Sequence, residues 1–262
     1  MSHDRQNLIA SRNLIASASH HCERTAPTGR LLRGAVLALS ILAMTPFWVD
    51  ASPAPDGPRS EVWQFDRLDS IGGHAVTVLG NPRVIDTPIG KAVEFDGVDD
   101  ALFLEVHPLA GAETFTWEVI FRPDSGGAQE QRFFHLQERD PNTGADTETR
   151  LLFETRLTAT HWYLDSFANS GESKALIDRA KLHPLDAWYH AAMVYDGKEF
   201  RNYVNGELQN AAPVRLKPQG PGHSSAGVRI NKVDYFKGAM HVSRMTHGAL
   251  SPDQFLKIPQ PR

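Results

Sequence analysis

The chain has 262 residues, a formal net charge of −4 and one cysteine. This length is enough for one large domain or two small ones, each with a buried core. The mildly acidic balance argues against nucleic acid and anionic membrane surfaces as partners, and a single cysteine excludes a fold held together by internal disulfides.

The first fifty residues have the layout of an export signal. Residues 1–33 contain five arginines, residues 34–49 are uncharged, and Val49 and Ala51 are small residues suited to cleavage. A membrane span needs about 20 apolar residues, and Pro46 interrupts this stretch. We therefore predict a signal peptide over residues 1–51 with cleavage near Ala51. The protein is then secreted or periplasmic, without membrane contact after signal removal, and Cys22 is lost.

Residues 52–59 (SPAPDGPR) form a Pro-rich linker, and the folded domain is expected over residues 60–258. Short strands are predicted at residues 61–65, 75–79, 91–95 and 101–106. The turn between the last two contains Asp96, Asp99 and Asp100, which offer oxygen ligands to Ca2+, an ion that needs six to eight of them. The alternative is that Asp96-Gly97 merely makes the turn.

Alternation with a period of two is clearest in the next strand. Phe115, Trp117, Val119 and Phe121 alternate with polar residues, which predicts a buried aromatic face. Residues 132–137 (RFFHLQ) are predicted as a strand in which His135 shares a face with Phe133 and Gln137. After a polar loop, the residues predicted to face the core are Leu151, Phe153 and Leu157, and those predicted to face away are Leu152, Glu154 and Arg156.

The second half contains a meander over residues 188–208, with tight turns at Asp196-Gly197 and Asn205-Gly206. Before it, residues 161–167 are predicted as a strand and residues 171–181 as a polar turn with one helical turn. After it, residues 213–225 are predicted as a long loop, and residues 228–233 and 236–246 as the closing strands.

Three segments carry a family resemblance. Each of them resembles a signature of laminin-G-like, concanavalin A-like jelly rolls. They are the meander (W-x-H-x-A, Y-D-G, Y-V-N-G-E), residues 90–100 (GKAVEFDGVDD) and residues 234–255 (DYFKGAMHVSRMTHGALSPDQF). The resemblance implies a single all-β domain, a two-sheet antiparallel β-sandwich. The sequence departs from the family pattern in one place, where Met240-His241-Val242-Ser243 stands instead of an acidic pair. Any calcium role that this pair has elsewhere in the family is therefore in doubt here.

Function is less constrained than fold, because this jelly roll hosts lectins, adhesion modules, glycosidases and polysaccharide lyases. The sequence contains no phosphate loop, metalloprotease motif or nucleophile elbow. We therefore expect a secreted carbohydrate-binding or adhesion domain that recognises a polysaccharide or glycoconjugate. One alternative is a polysaccharide lyase or glycoside hydrolase acting on an acidic polysaccharide, and another is an envelope protein-interaction module. No cofactor is required, and Ca2+ is the one candidate ion.

The resemblance implies a ligand lying across one sheet, so candidate residues are those that face away from the core. Glu154 and Arg156 could be a carboxylate and guanidinium on the floor of a sugar groove, or only an exposed ion pair. His135 and His190 could exchange protons near neutral pH, or could be core histidines. If the protein is an enzyme, the catalytic candidates are His135, Glu154, Arg156, His190 and Tyr203. The candidates for ligand binding are Glu118, Gln137, Glu154, Arg156, Trp162, Tyr163, Arg201, Arg229 and Asn231.

Overall fold

The computed structural model describes residues 57–260, so the predicted signal peptide and most of the predicted linker lie outside the described residues. None of the helical structure found within this range is long and apolar enough to cross a membrane. The described residues form one short 3₁₀ helix (Pro252–Gln254) and 17 strands: β1 (Ser60–Gln64), β2 (Ser70–Ile71), β3 (His74–Leu79), β4 (Arg83–Thr87), β5 (Gly90–Asp96), β6 (Ala101–Leu104), β7 (Phe115–Pro123), β8 (Glu130–Arg139), β9 (Asp146–Leu157), β10 (His161–Ser170), β11 (Glu172–Ile177), β12 (His183–Pro184), β13 (Tyr189–Tyr195), β14 (Glu199–Val204), β15 (Glu207–Pro213), β16 (Gly222–Ala226) and β17 (Lys237–Thr246).

The strands form two antiparallel sheets. Sheet I has the order β15-β14-β13-β7-β17-β5-β4, and β1 also pairs with β17. Sheet II has the order β11-β10-β9-β8-β16-β6-β3-β2, and β12 also pairs with β10. The neighbours β7 and β17 are far apart in sequence, as are β8 and β16, so the chain crosses over more than once to complete each sheet. The all-β sandwich inferred from the sequence is confirmed.

The core lies between the sheets and is rich in aromatic rings. Trp117 of sheet I packs against Phe153 of sheet II with ring centroids 4.6 Å apart. Phe121 and Phe133 are stacked at 4.3 Å. Phe115 and Val119 also belong to this core, so the period of two in β7 did identify the buried face.

The meander is confirmed as β13, β14 and β15. Its second turn requires a left-handed backbone at both central residues, and Asn205 and Gly206 have φ values of 51° and 81°. Residues with odd numbers in β13 face the core, among them Ala191 and Met193. His190 therefore lies on the outward face of sheet I.

Two predicted elements of the second half are wrong. Residues 228–233 form a tight turn and not a strand: the Lys232 N–H donates to the Arg229 carbonyl at 2.8 Å, and Lys232 has φ of 61°. The neighbouring strand β16 begins in the segment predicted as a loop and ends one residue beyond it. Its sequence, GHSSA, lacks the bulky residues by which strands are recognised. Its buried hydroxyls are both hydrogen-bonded: Ser225 donates to the Val228 carbonyl at 2.6 Å and Ser224 to the Val106 carbonyl.

Two further corrections concern sheet II. Residues 172–177, predicted as a polar turn with helical character, form the edge strand β11. Strand β8 contains an irregularity between Arg132 and Phe134, so Phe133 and Phe134 both enter the core. His135 consequently faces outward and does not share a face with Phe133, because an extra residue inverts the alternation that follows.

The two outward faces are covered differently. A C-terminal segment, residues 250–258, packs on sheet I through Phe255, Leu256 and Ile258. Sheet II is crossed by a loop at residues 227–236, which we call the crossing loop. It is anchored where the Ile230 N–H donates to Nδ1 of His135 at 3.1 Å. The remaining outward surface of sheet II is open on both sides of this loop.

Candidate functional site

A polar pocket of about 220 Å³ opens on the outward face of sheet II, beside the crossing loop. Alternation in β9 places Glu154 and Arg156 here, because Phe153 faces the core. Strands β8, β10 and β11 and the crossing loop supply the other walls. The residues that line the pocket are Arg132, Arg150, Leu152, Glu154, Arg156, Asp165, Phe167, Ala175, Ile177 and Arg229.

Two buried carboxyl groups form one wall. Glu154 and Asp165 are cross-strand partners, with 4% and 2% of their surfaces exposed. Nη2 of Arg156 donates to Oε2 of Glu154 at 2.9 Å and to Oδ2 of Asp165 at 2.7 Å. Burial, followed by the charge of Asp165, raises the pKa of Glu154 to about 8, against the opposing effect of Arg132. The pair therefore holds one proton at neutral pH.

Arg132 ties this wall to the crossing loop. Its Nε lies 3.2 Å from Oε2 of Glu154, and its Nη1 donates to Oδ2 of Asp234 at 2.6 Å. Its Nη2 also forms an ion pair with Glu130 at 2.9 Å. These contacts leave little freedom to the guanidinium, so Arg132 positions the loop and the Glu154 carboxyl together.

The opposite side of the pocket is cationic and apolar. The guanidinium of Arg150 lies 5.0 Å from the ring centroid of Phe167, within the range of a cation–π interaction. Among residues 57–260, no carboxylate lies within ion-pair distance of Arg229. Burial, and then the charges of Arg150 and Arg132, lower the pKa of Arg229. Its charge is thus incompletely compensated, which favours an anionic ligand group.

Two predicted residues of this face have structural roles. His135 is buried under the crossing loop, and burial together with the charge of Arg229 holds its pKa well below the usual value. It is therefore a neutral acceptor for the Ile230 N–H. The amide of Gln137 donates to the carbonyls of Thr147 and Thr149 at 2.8 and 2.9 Å, which holds the β8–β9 hairpin.

Several residues of the pocket were not predicted from the sequence. Asp165 and Phe167 lie two and four positions after the predicted ligand residue Tyr163 in β10. They therefore share its face, and a period of two could have identified them. Arg132 could not be assigned a face, because the irregularity that follows it in β8 breaks the alternation on which such an assignment depends. Arg150 lies between the predicted polar loop, residues 140–149, and the strand assigned from Leu151, so no face was predicted for it.

The catalytic candidates His135, Glu154, Arg156 and His190 do not meet in one cleft. His190 lies on the outward face of sheet I, where its Nε2 is 3.0 Å from Oε1 of Glu118. Glu118 and Glu154, two carboxyls that a glycoside hydrolase could use together, also lie apart, because they face away from each other on opposite sides of the sandwich. No glycosidase geometry can span that separation.

The Glu118–His190 group is sealed by the C-terminal segment. Glu118 is fully buried and accepts hydrogen bonds from Nε of Arg244 at 2.6 Å and from the Leu256 N–H at 2.7 Å. Although burial opposes ionisation, the hydrogen bonds from His190, Arg244 and Leu256 keep the pKa of Glu118 below its usual value. This is a satisfied buried ion pair that anchors a segment of chain.

The other predicted ligand residues are dispersed. Trp162 is a core residue, 5.2 Å from Phe121 between ring centroids, so its prediction as a ligand contact is wrong. Tyr203 packs against Phe255 at 5.3 Å on sheet I, and burial raises its pKa. Arg201, also on sheet I, is paired with Asp196 and Glu199. Tyr163 is partly exposed on β10, and Asn231 is exposed in the crossing loop.

The acidic turn between β5 and β6 is explained by backbone geometry. Oδ1 of Asp96 accepts N–H groups of Val98, Asp99 and Asp100 at 2.8–3.3 Å. The Asp100 carboxylate accepts the N–H groups of Asn81 and Asp96 at 2.6 and 3.0 Å. Ligand atoms of the three aspartates lie within 4.8 Å of one another. Two of the three carboxylates are engaged by backbone N–H groups, and three carboxylates alone do not complete a Ca2+ shell. The calcium hypothesis therefore stays a prediction.

Solved structures with the same fold were found at low sequence identity. Domain 4 of AbnA, a GH43 extracellular arabinanase from Geobacillus stearothermophilus in complex with arabinotriose, is 18% identical, with 76% of this chain and 97% of that chain covered and a TM-score of 0.54. The receptor-binding domain of botulinum neurotoxin D is 11% identical (74% and 50% covered, TM-score 0.53). Trypanosoma rangeli sialidase in complex with the inhibitor DANA is 12% identical (74% and 31% covered, TM-score 0.51). The chain thus spans half or less of the toxin domain and the sialidase, and at these identities the likeness concerns the fold.

No curated protein sequence matches the chain. A family model, described as the concanavalin A-like lectin/glucanases superfamily, matches residues 96–255, which include both the acidic turn and the sheet II pocket. The sandwich topology and this match agree with the signatures seen in the sequence. The chain belongs to the concanavalin A-like lectin/glucanase superfamily.

Proposed function

We propose that the protein is an exported carbohydrate-binding domain, and that it recognises an acidic polysaccharide or glycoconjugate through the outward face of sheet II. Its export rests on the signal layout of residues 1–51. Its binding role rests on the pocket of β8, β9, β10 and the crossing loop. The partner is a glycan, and its acidic groups meet the local cations of this pocket, although the chain as a whole is acidic.

One observation carries the proposal. The pocket contains both the guanidinium of Arg229 and the Phe167 ring, which lies beside Arg150. Within the described range, no carboxylate forms an ion pair with Arg229. A guanidinium can hold a carboxylate or sulfate through two hydrogen bonds. A neighbouring ring offers an apolar surface to the C–H face of a pyranose. An acidic sugar supplies both complementary surfaces at once.

The names of similar structures agree with a sugar ligand. The arabinanase domain was solved in complex with arabinotriose, and the sialidase with an inhibitor. Because the identities are below 20%, these names support the class of ligand only and assign no residue of this chain.

The enzyme alternative is weaker, because the groups proposed for proton transfer do not meet. His190 and Tyr203 are on sheet I, and His135 is capped by the crossing loop. The protein-interaction alternative is weaker for this pocket, because its lining is mainly charged. Both alternatives are tested by the same panel of polymers.

The test is a calorimetric titration of the protein with alginate, pectic, ulvan and heparin-like polymers and with neutral glucans. We expect binding to an acidic polymer and weaker binding to neutral ones. Arg229→Ala should reduce the affinity by about tenfold or more, the value of a charge-assisted hydrogen bond. Arg83→Ala is the matched control, because Arg83 is an exposed, ion-paired arginine on sheet I.

Loss of affinity in both variants would indicate a nonspecific charge effect. An absence of binding to every polymer would overturn the proposal. The appearance of unsaturated products or new reducing ends during incubation would favour the lyase or hydrolase alternative.

A further inference from the structure

A second pocket, of about 310 Å³, opens on the same face of sheet II on the other side of the crossing loop. Its floor includes Phe103 of β6, which is partly exposed, and its loop wall includes Ile230 and Lys232. Nζ of Lys232 lies 5.9 Å from the ring centroid of Phe103. The second pocket thus repeats the pairing of a phenylalanine ring with a cation that Phe167 and Arg150 make in the first.

The two phenylalanines occupy the ends of one row across the sheet. The register pairs Phe103 with Ser225, Ser225 with His135, His135 with Leu152, and Leu152 with Phe167. Four strand spacings separate the ends, and neighbouring strands lie about 4.8 Å apart, so the two ring positions are about 19 Å apart. The crossing loop passes over the middle of this row, at His135.

The crossing loop presents one unpaired cation to each side. Arg229 lines the first pocket and Lys232 the second, although only two residues separate them in the chain. Within the described range, neither side chain forms an ion pair with a carboxylate. The loop is firmly held, because the Phe236 N–H donates to the Gly227 carbonyl at 2.8 Å and the Arg132 N–H to the Asp234 carbonyl at 2.9 Å.

The other charged residues at the second pocket are paired with one another. Arg139 is paired with Glu105 and lies 3.5 Å from Asp146. Burial is the main cause that lowers the pKa of His223, which leaves this ring neutral at pH 7. Lys232 is therefore the cation of the second pocket that has no ion-pair partner within the described residues, as Arg229 is in the first.

We propose that the face binds a linear polyanionic glycan at two subsites, one on each side of the crossing loop. Arg229 and Phe167 hold one acidic sugar, and Lys232 and Phe103 hold another about 19 Å further along the same chain. The intervening sugars pass over the loop at Ile230. This inference rests on the proposed function and adds to it the charge, the linearity and the minimum length of the ligand.

Two linked subsites have a measurable consequence. Once one acidic sugar is bound, the second meets its subsite at a high effective concentration, so affinity rises steeply when the chain becomes long enough to span both. Shorter fragments reach one subsite at a time and gain nothing from the other.

The experiment uses oligomannuronates of defined length, from the disaccharide to the decasaccharide, titrated into the wild-type protein and into Lys232→Ala. We expect a step in wild-type affinity of about a hundredfold at the length that first spans both pockets. Lys232→Ala should abolish the step and leave the affinity for the disaccharide at Arg229 within twofold of wild type. Lys257→Ala, an exposed lysine on the sheet I side, is the matched control.

Three results would overturn the inference: affinity that grows smoothly with length, a step that survives in Lys232→Ala, or equal losses for short and long fragments. In each of these cases wild type still binds glycan, so the proposed function stands. If the wild-type protein binds no fragment and no polymer, the proposed function fails and the two-subsite inference fails with it.

Discussion

Asp165 lies directly opposite Glu154 on the neighbouring strand, and one nitrogen of Arg156 donates a hydrogen bond to both carboxyls. Two carboxylates so close and so buried repel each other, and burial favours the neutral form of one of them. The pKa of Glu154 is accordingly raised to about 8. The wall of the pocket holds a proton at neutral pH, a feature with consequences for stability and for ligand binding.

We expect Glu154 to make the folded protein less stable as pH rises. Its pKa is about 8 in the folded state against 4.5 unfolded, so the folded state binds the extra proton between these values. Stability from this group is fully present below pH 4.5 and is lost as pH approaches 8, by about 1.4 kcal/mol for each unit of pKa difference. Glu154→Gln imitates the protonated form and should remove this slope, as measured by urea unfolding across the pH range.

Glu113→Gln is the control for this substitution, because Glu113 is exposed and its replacement should leave the pH dependence as it is. A Glu154→Gln protein whose unfolding free energy falls with pH as steeply as that of wild type would show that the proton is not held at Glu154.

The glycine that begins the crossing loop should not tolerate a side chain. Gly227 has φ of 85°, and a Cβ there would overlap the Phe95 ring and lie 3.0 Å from the Asp100 carbonyl. Gly227→Ala should therefore cost the left-handed backbone penalty and an overpacking term of about 1–3 kcal/mol. It should also move the loop, and so weaken glycan binding in the calorimetric titration.

Gly73→Ala separates the two effects, because Gly73 has φ of 84° and open space where a Cβ would stand. We expect it to cost only the backbone penalty, about 1 kcal/mol. Equal losses of unfolding free energy in the two variants would contradict the packing argument.

The sequence revealed the fold through features that are local. The alternation of Phe115 and Trp117 and the Asn205-Gly206 turn are decided by neighbours in the chain, and both were predicted. The strand β16 was missed because its burial comes from its position between β8 and β6, which its small residues do not reveal.

The candidate site was only half predictable, for a related reason. Glu154 and Arg156 were identified because alternation shows which residues point away from a core, whereas Arg229 was selected from a predicted strand that is a turn in the structure. Which of two outward faces each residue lies on depends on strand order, and the order was not predictable from spacing. This is why His190 was grouped with Glu154, although it lies beneath Phe255 on sheet I.

Phe255 should be essential to the packing of the C-terminal segment on sheet I. Its ring lies 5.3 Å from those of His190 and Tyr203, and 4% of its surface is exposed. Phe255→Ala should cost about 3 kcal/mol of unfolding free energy, the usual loss for a buried ring. The measurement is urea unfolding, with Leu208→Ala as control because Leu208 is 46% exposed.

A loss of less than about 1 kcal/mol in Phe255→Ala would mean that the C-terminal segment contributes little, and that the Glu118–His190 pair stays stable without its cover. The control variant should stay within about 0.5 kcal/mol of wild type, as surface substitutions usually do.

The acidic turn offers a test of calcium against backbone geometry. The Asp100 carboxylate accepts two backbone N–H groups and is 5% exposed, so Asp100→Ala should lower the unfolding free energy by about 1–3 kcal/mol in the presence of chelator. Asp99 is exposed and makes only a backbone N–H contact in the turn, so Asp99→Ala should cost less than about 0.5 kcal/mol. Thermal unfolding of wild type should be unchanged by chelator. A melting temperature that rises with Ca2+ in wild type and not in Asp99→Ala would instead establish a calcium site at this turn.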